Sequence, residues 1–167
     1  MIGIGNRFRG DDAAGWAVVD RLARPSARHL LPPGTRLHVC DGDPARLVSL
    51  WEGADLTVVA DAARAVPARP GTVHRRSYDR ARPERSPTTT SSHGFGLNDA
   101  LALAEALGRL PHQLVVYAIE ARDLSLGPGL SPPVAAAVRA VAERIRHDVA
   151  AAADPHPMGA SMPPAPG

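Results

Sequence analysis

The chain has 167 residues, 44% of them hydrophobic and 22% charged, with a formal charge of +2 and a single cysteine. Such a length supports one domain with a self-sufficient core, the composition is globular, and one cysteine excludes both an internal disulfide framework and a cysteine zinc site. All 19 basic residues are arginine and aromatics are only 4%, so the basic stripe with interleaved aromatics expected of a nucleic-acid binder is missing.

The predicted elements alternate. "MIGIG" reads as a very short first strand. "DDAAGWAVVDRLAR" reads as a helix with Asp11 as its N-cap candidate and Trp16, Val19 and Leu22 on one face. "TRLHVC" is a second strand, which makes Cys40 a buried structural thiol, and "DPARLVSLWEG" is a short helix opened by Pro44 near its first position. "DLTVVAD" is a continuous apolar strand of the kind covered on both faces, and "GTVHRRS" is a strand nearer an edge because charge enters it. "GLNDALALAEALG" is a helix ending at Gly108, and "HQLVVYAIE" is a fifth strand. The last helix, from about Ser131, carries Val134, Val138, Val141, Ile145 and Val149 at helical spacing.

This order predicts an α/β fold: a three-layer sandwich with a mostly parallel, twisted five-stranded sheet flanked by helices on both faces. The domain is expected over residues 1–150. Residues 151–167, dense in proline and without apolar periodicity, read as a disordered tail. "YDRARPERSPTTTSS" is long for a loop in a compact domain. The arginine-rich stretch from Arg75 to Arg85 reads either as solvated surface or as a lid. No stretch resembles a signal peptide or is long enough to cross a bilayer, so the cytoplasm is the expected compartment, with neither nucleic acid nor membrane as partner and a monomer as the default state.

The turn after the first strand organises the functional reading. A strand, Gly-x-Gly and a helix invite a dinucleotide site, but that fingerprint wants a third glycine where Phe8 stands. Asp11 and Asp12 would repel a pyrophosphate from the helix start, where free amides and the dipole otherwise favour it. No Gly-Lys-Ser/Thr occurs, so a P-loop is excluded as well. A mouth lined by carboxylates suits a cation. In open α/β sheets functional groups gather at the carboxyl ends of the strands, and there stand Asp12 after the first strand, Asp61 at the end of the third and His93 at the start of a helix. Two carboxylates and an imidazole suit zinc, nickel or iron(II) better than calcium or magnesium. Each also has an ordinary explanation: Asp11 and Asp12 as helix-start residues, Asp61 as a turn former, His93 as a satisfied surface group. Asn6 reads either as orienting a substrate or as holding the turn through its side chain, and the second is the expectation.

"GIGNRFRGDDAAG", "VVADAARA" and "SSHGFGLNDALALAEALGRLPHQLVVYAIEA", with the later "GPGLSPPV", resemble the hydrogenase maturation endopeptidases in order along nearly the whole domain. The resemblance implies removal of a short C-terminal extension from a [NiFe] hydrogenase large-subunit precursor, the partner, after nickel insertion. By this similarity Asp12, Asp61 and His93 are the metal-ligating and catalytic residues. Nickel is carried by the precursor, and no organic cofactor is implied. Ala13 stands where the family usually has glycine, and "DGDP" replaces the usual Asp-Gly-Gly-Thr. No positioned Ser or Cys nucleophile and no H-E-x-x-H helix is present. Two other functions fit the same residues: a zinc-type metallohydrolase acting without substrate nickel, and a non-catalytic docking protein that senses nickel.

Overall fold

A computed structural model of the chain describes residues 1–79 and 95–153. Five strands form one sheet: β1 (Ile2–Ile4), β2 (His38–Cys40), β3 (Leu56–Ala63), β4 (Val73–Asp79) and β5 (Gln113–Glu120). Their order is β2-β1-β3-β5-β4, with every neighbouring pair parallel except the edge strand β4, which runs antiparallel to β5. β3 and β5 are almost wholly buried apolar runs, as central parallel strands covered on both faces must be. β4 has four exposed central residues, His74 to Ser77, and the charge in its sequence marks the edge correctly.

The helices are α1 (Ala14–Ala23), a one-turn α2 (Pro25–Arg28), α3 (Pro44–Trp51), α4 (Phe95–Ala106) and α5 (Pro132–Ala153). Apolar groups of α1 and α5 pack on one face of the sheet with Val58, Ala60, Tyr117 and Ile119. Those of α3 and α4 cover the other face with Ile2, Ile4, Val59 and Val116. The strand alternation thus sorts neighbouring residues of β3 to opposite layers. Pro44 is the first residue of α3, and Asp43 caps it by accepting the Arg46 amide at 2.7 Å. The departure from Asp-Gly-Gly-Thr to "DGDP" is therefore a helix-start device. Cys40 is buried, as its setting predicts.

Three expectations change. Asp11 is not an N-cap: a 3₁₀ turn (Gly10–Ala13) precedes α1, whose cap position is Ala13 and carries no side-chain hydrogen bond. Trp16 is only half-buried; Val18 takes the core position and the Trp16 indole donates to the Cys40 carbonyl at 3.1 Å. α5 runs three residues past the expected boundary at 150, to Ala153. The remainder of the tail, and most of the 75–85 stretch beyond β4, lie outside the described residues.

The approach of β1 to α1 depends on missing side chains. A Cβ on Gly15 would meet the carbonyl oxygens of Ile4 and Ala60 at 2.3 Å, and one on Gly5, whose φ is +137°, would meet the Asp12 carbonyl at 1.8 Å. Glycine at both positions lets the helix sit directly on the sheet and fixes Asp12 at the end of β1.

Candidate active site

Asp12 lies in the 3₁₀ turn, its amide donating to the Arg9 carbonyl at 2.8 Å and its carbonyl accepting the Asn6 amide at 3.3 Å. Asn6 holds the preceding turn as expected, its Oδ1 accepting the Phe8 amide at 2.9 Å. Asp61 is the sixth residue of β3, opposite Ala118 of β5, and is only 4% exposed. Alternation along β3 places it on the face covered by α3 and α4. Burial raises its carboxyl pKa to about 7, offset in part by the Ala62 amide and reinforced by the nearby Asp12 charge. Burial also raises Asp12, opposed by the charge of Arg9, the Asn6 amide and Arg64. β3 runs two residues beyond Asp61, to Ala63, so Asp61 does not end the strand as expected, but it lies close enough to Asp12, in the turn after β1, to feel its charge.

His93 lies outside the described residues. α4, which begins two positions after it, starts on this same rim: a Cβ on Gly96 would sit 2.1 Å from the Gly42 carbonyl, in the loop after β2. Among the described residues no group of three His, Cys, Asp or Glu side chains is placed to hold a metal ion. The acidic pair is the described part of the candidate centre. Its fit to a cation rests on the cost of ionising Asp61, which a divalent ion beside it would offset.

Asp11, adjacent to Asp12 in sequence, does something else. It is 1% exposed and turned into the loop between β5 and α5. Its carboxylate accepts the amides of Arg122 (2.8 Å), Asp123 (3.2 Å) and Ser131 (2.7 Å) and the Ser131 hydroxyl (2.9 Å). Desolvation pushes its pKa up, but these four donors outweigh it and leave the carboxyl below its usual range. The mouth thus contains one of the two sequential charges.

The strand-end rule that singles out Asp61 also points to Glu120, which closes β5. Its side chain is committed: Oε2 accepts the Arg69 amide at 2.6 Å and Oε1 pairs with His74 Nε2 at 2.7 Å. It fastens the β3–β4 connection and is not part of the acidic corner.

Residues 21–148 match the sequence profile of the HycI family, described as hydrogenase maturation proteases. The chain belongs to the hydrogenase maturation proteases. The matched segment contains Asp61 and His93 but begins after Asp12, whose placement comes from the fold. Among solved structures, the chain is similar to an endopeptidase from Escherichia coli, at 25% identity over 86% of each chain with a TM-score of 0.69. It is similar also to a [NiFe] hydrogenase maturation protease, HybD, from Thermococcus kodakarensis, at 25% identity over 89% of this chain and 96% of that one, TM-score 0.62. A hydrogenase 2 maturation peptidase from Thaumarchaeota archaeon SCGC_AB-539-E09 gives 26% identity over 88% and 94%, TM-score 0.63. No curated protein sequence matches significantly. As a member of this family the chain is an endopeptidase, a hydrolase of peptide bonds. Among its described residues no helix is long and apolar enough to cross a membrane.

Proposed function

We propose that this maturation protease removes the C-terminal extension of a [NiFe] hydrogenase large-subunit precursor in a nickel-dependent reaction, the nickel arriving as part of the substrate. The observation that carries this reading is the convergence of Asp12 with the buried, hard-to-ionise Asp61 at the carboxyl rim of the sheet. In this reading Asp12, Asp61 and His93 complete the coordination of the precursor's nickel, a mixed oxygen and nitrogen set suited to that ion. Without nickel, burial and the Asp12 charge hold Asp61 partly protonated near neutral pH. With nickel, the proton leaves and the ionised pair anchors the precursor beside the bond to be cut. Recognition of metal and of substrate thereby become one event. The protein acts in the cytoplasm as a monomer.

The test is incubation of the chain with nickel-loaded and nickel-free precursor, read by mass for loss of the extension. Cleavage of the loaded form alone is expected, and His93→Ala, Asp12→Asn or Asp61→Asn should each slow it at least about a hundredfold. Equal cleavage of both forms would assign a zinc-type hydrolase instead. Binding without cleavage would assign a nickel-sensing docking protein.

A further inference from the structure

Phe8 and Leu126 are large apolar side chains left in water, 72% and 81% exposed. Single exposed apolar residues are ordinary on protein surfaces. These two are neighbours on a braced platform. The Gly127 amide donates to the Phe8 carbonyl at 3.0 Å and its carbonyl accepts the Gly10 amide at 2.8 Å, forming a parallel bridge between Arg9 and Gly127. Phe8 and Leu126 each immediately precede one partner of that bridge, so the two hydrogen bonds bring their backbones together. Both segments are pinned. Asn6 holds the Phe8 amide, Arg9 Nε donates to the Leu124 carbonyl at 3.2 Å, and Asp11 grips the 122–131 loop from beneath. Leu126 also borders an open hollow of about 440 Å³ lined by Gly10, Asp11, Pro128 and Leu130.

We propose that Phe8 and Leu126 form a docking platform for an apolar side chain of the extended precursor segment that carries the scissile bond. The inference rests on the endopeptidase reading above and names the second point at which that substrate is held. The platform is continuous with the acidic corner, because Arg9, whose flanks carry the bridge, accepts the Asp12 amide. Cutting one bond in a flexible segment requires the chain to be fixed at more than one place, and a metal anchor fixes only one. Phe8, four residues before Asp12, and Leu126, on the segment bridged to it, supply the other without competing for nickel. Two side chains are too small to seat a second copy of the protein, since stable dimers bury about 800 Å² per partner.

The experiment compares the unaltered chain with Phe8→Ser/Leu126→Ser and with Leu107→Ser, which alters an exposed leucine beyond the far end of α4. Processing kinetics and pull-down affinity are both measured on the nickel-loaded precursor, with thermal unfolding to confirm equal folding. The double variant should raise KM and weaken binding about tenfold with kcat within about twofold, while Leu107→Ser changes neither. Unchanged KM and affinity in the double variant would overturn the platform while leaving the endopeptidase reading intact. A precursor that is bound but not cut, and bound more weakly by the double variant, would support the platform and overturn the endopeptidase reading. A precursor neither bound nor cut by the unaltered chain would overturn both.

Discussion

Asp61 and Asp11 show how two buried carboxyl groups in one rim acquire opposite electrostatic characters. Asp61 is raised from 3.8 to about 7, chiefly by burial, so the folded protein holds a proton that the unfolded chain has released. Its contribution to stability is fully present below about pH 4 and is lost as pH rises through 7, by on the order of a few kcal/mol in the metal-free protein. Urea unfolding at pH 5 and pH 8 should show this loss, and Asp61→Asn, neutral at both, should lack it and be the more stable protein at pH 8. Asp11 is lowered, so its contribution is present above about pH 4 and is lost as pH falls through its folded value. Asp11→Ala would leave three part-buried amides and a hydroxyl without their acceptor, a cost of roughly 1–3 kcal/mol measured by the same unfolding experiment. Processing should fall with it, because the loop that Asp11 holds borders the site.

At the scale of elements, the β1–α1 unit depends on close approach more than on apolar area. Gly15→Ala would press a methyl group into two carbonyls and should cost at least about 1–3 kcal/mol, with processing reduced further because Asp12 moves with the helix start. Thermal unfolding and the processing assay together distinguish lost stability from lost geometry. Most of the architecture was legible in the sequence for simple reasons. β3 and β5 are uninterrupted apolar runs, α5 keeps its valines and isoleucine at helical spacing, and Pro44 announces the start of α3. The one-turn α2 was not legible, having no buried residue to impose a period. The role of Asp11 was hidden as well. Sequence adjacency to Asp12 suggested a shared task, whereas the 3₁₀ turn sends the two carboxyl groups to different neighbours, and the partners of Asp11 lie 111 to 120 residues away. Asp61 could be found because a charge late in an apolar strand is conspicuous; Glu120 carries the same signal and serves to fasten a loop.

Across the whole molecule, β3 joins two unlike ends. Asp61 stands at the carboxyl rim, while Thr57, near the strand's start, is 2% exposed with a hydroxyl that makes no hydrogen bond. Thr57→Val removes the cost of burying that oxygen and should stabilise the protein by about 1 kcal/mol, seen as a raised Tm, with processing unchanged. A fall in Tm would mean that the hydroxyl has a partner in solution. The opposite end is thus available for stabilisation while the chemistry stays at the rim.

The grip of Asp11 on residues 122–131 falls mostly on main-chain nitrogen, which every amino acid except proline provides in the same form. Exposed side chains of that segment that neither pack on the core nor hold a turn, such as Leu126, are consequently at liberty to change while its path is preserved. A protein built on such a clasp can retune which partner it accepts by rewriting a few letters of one loop, with no need to redesign the scaffold beneath.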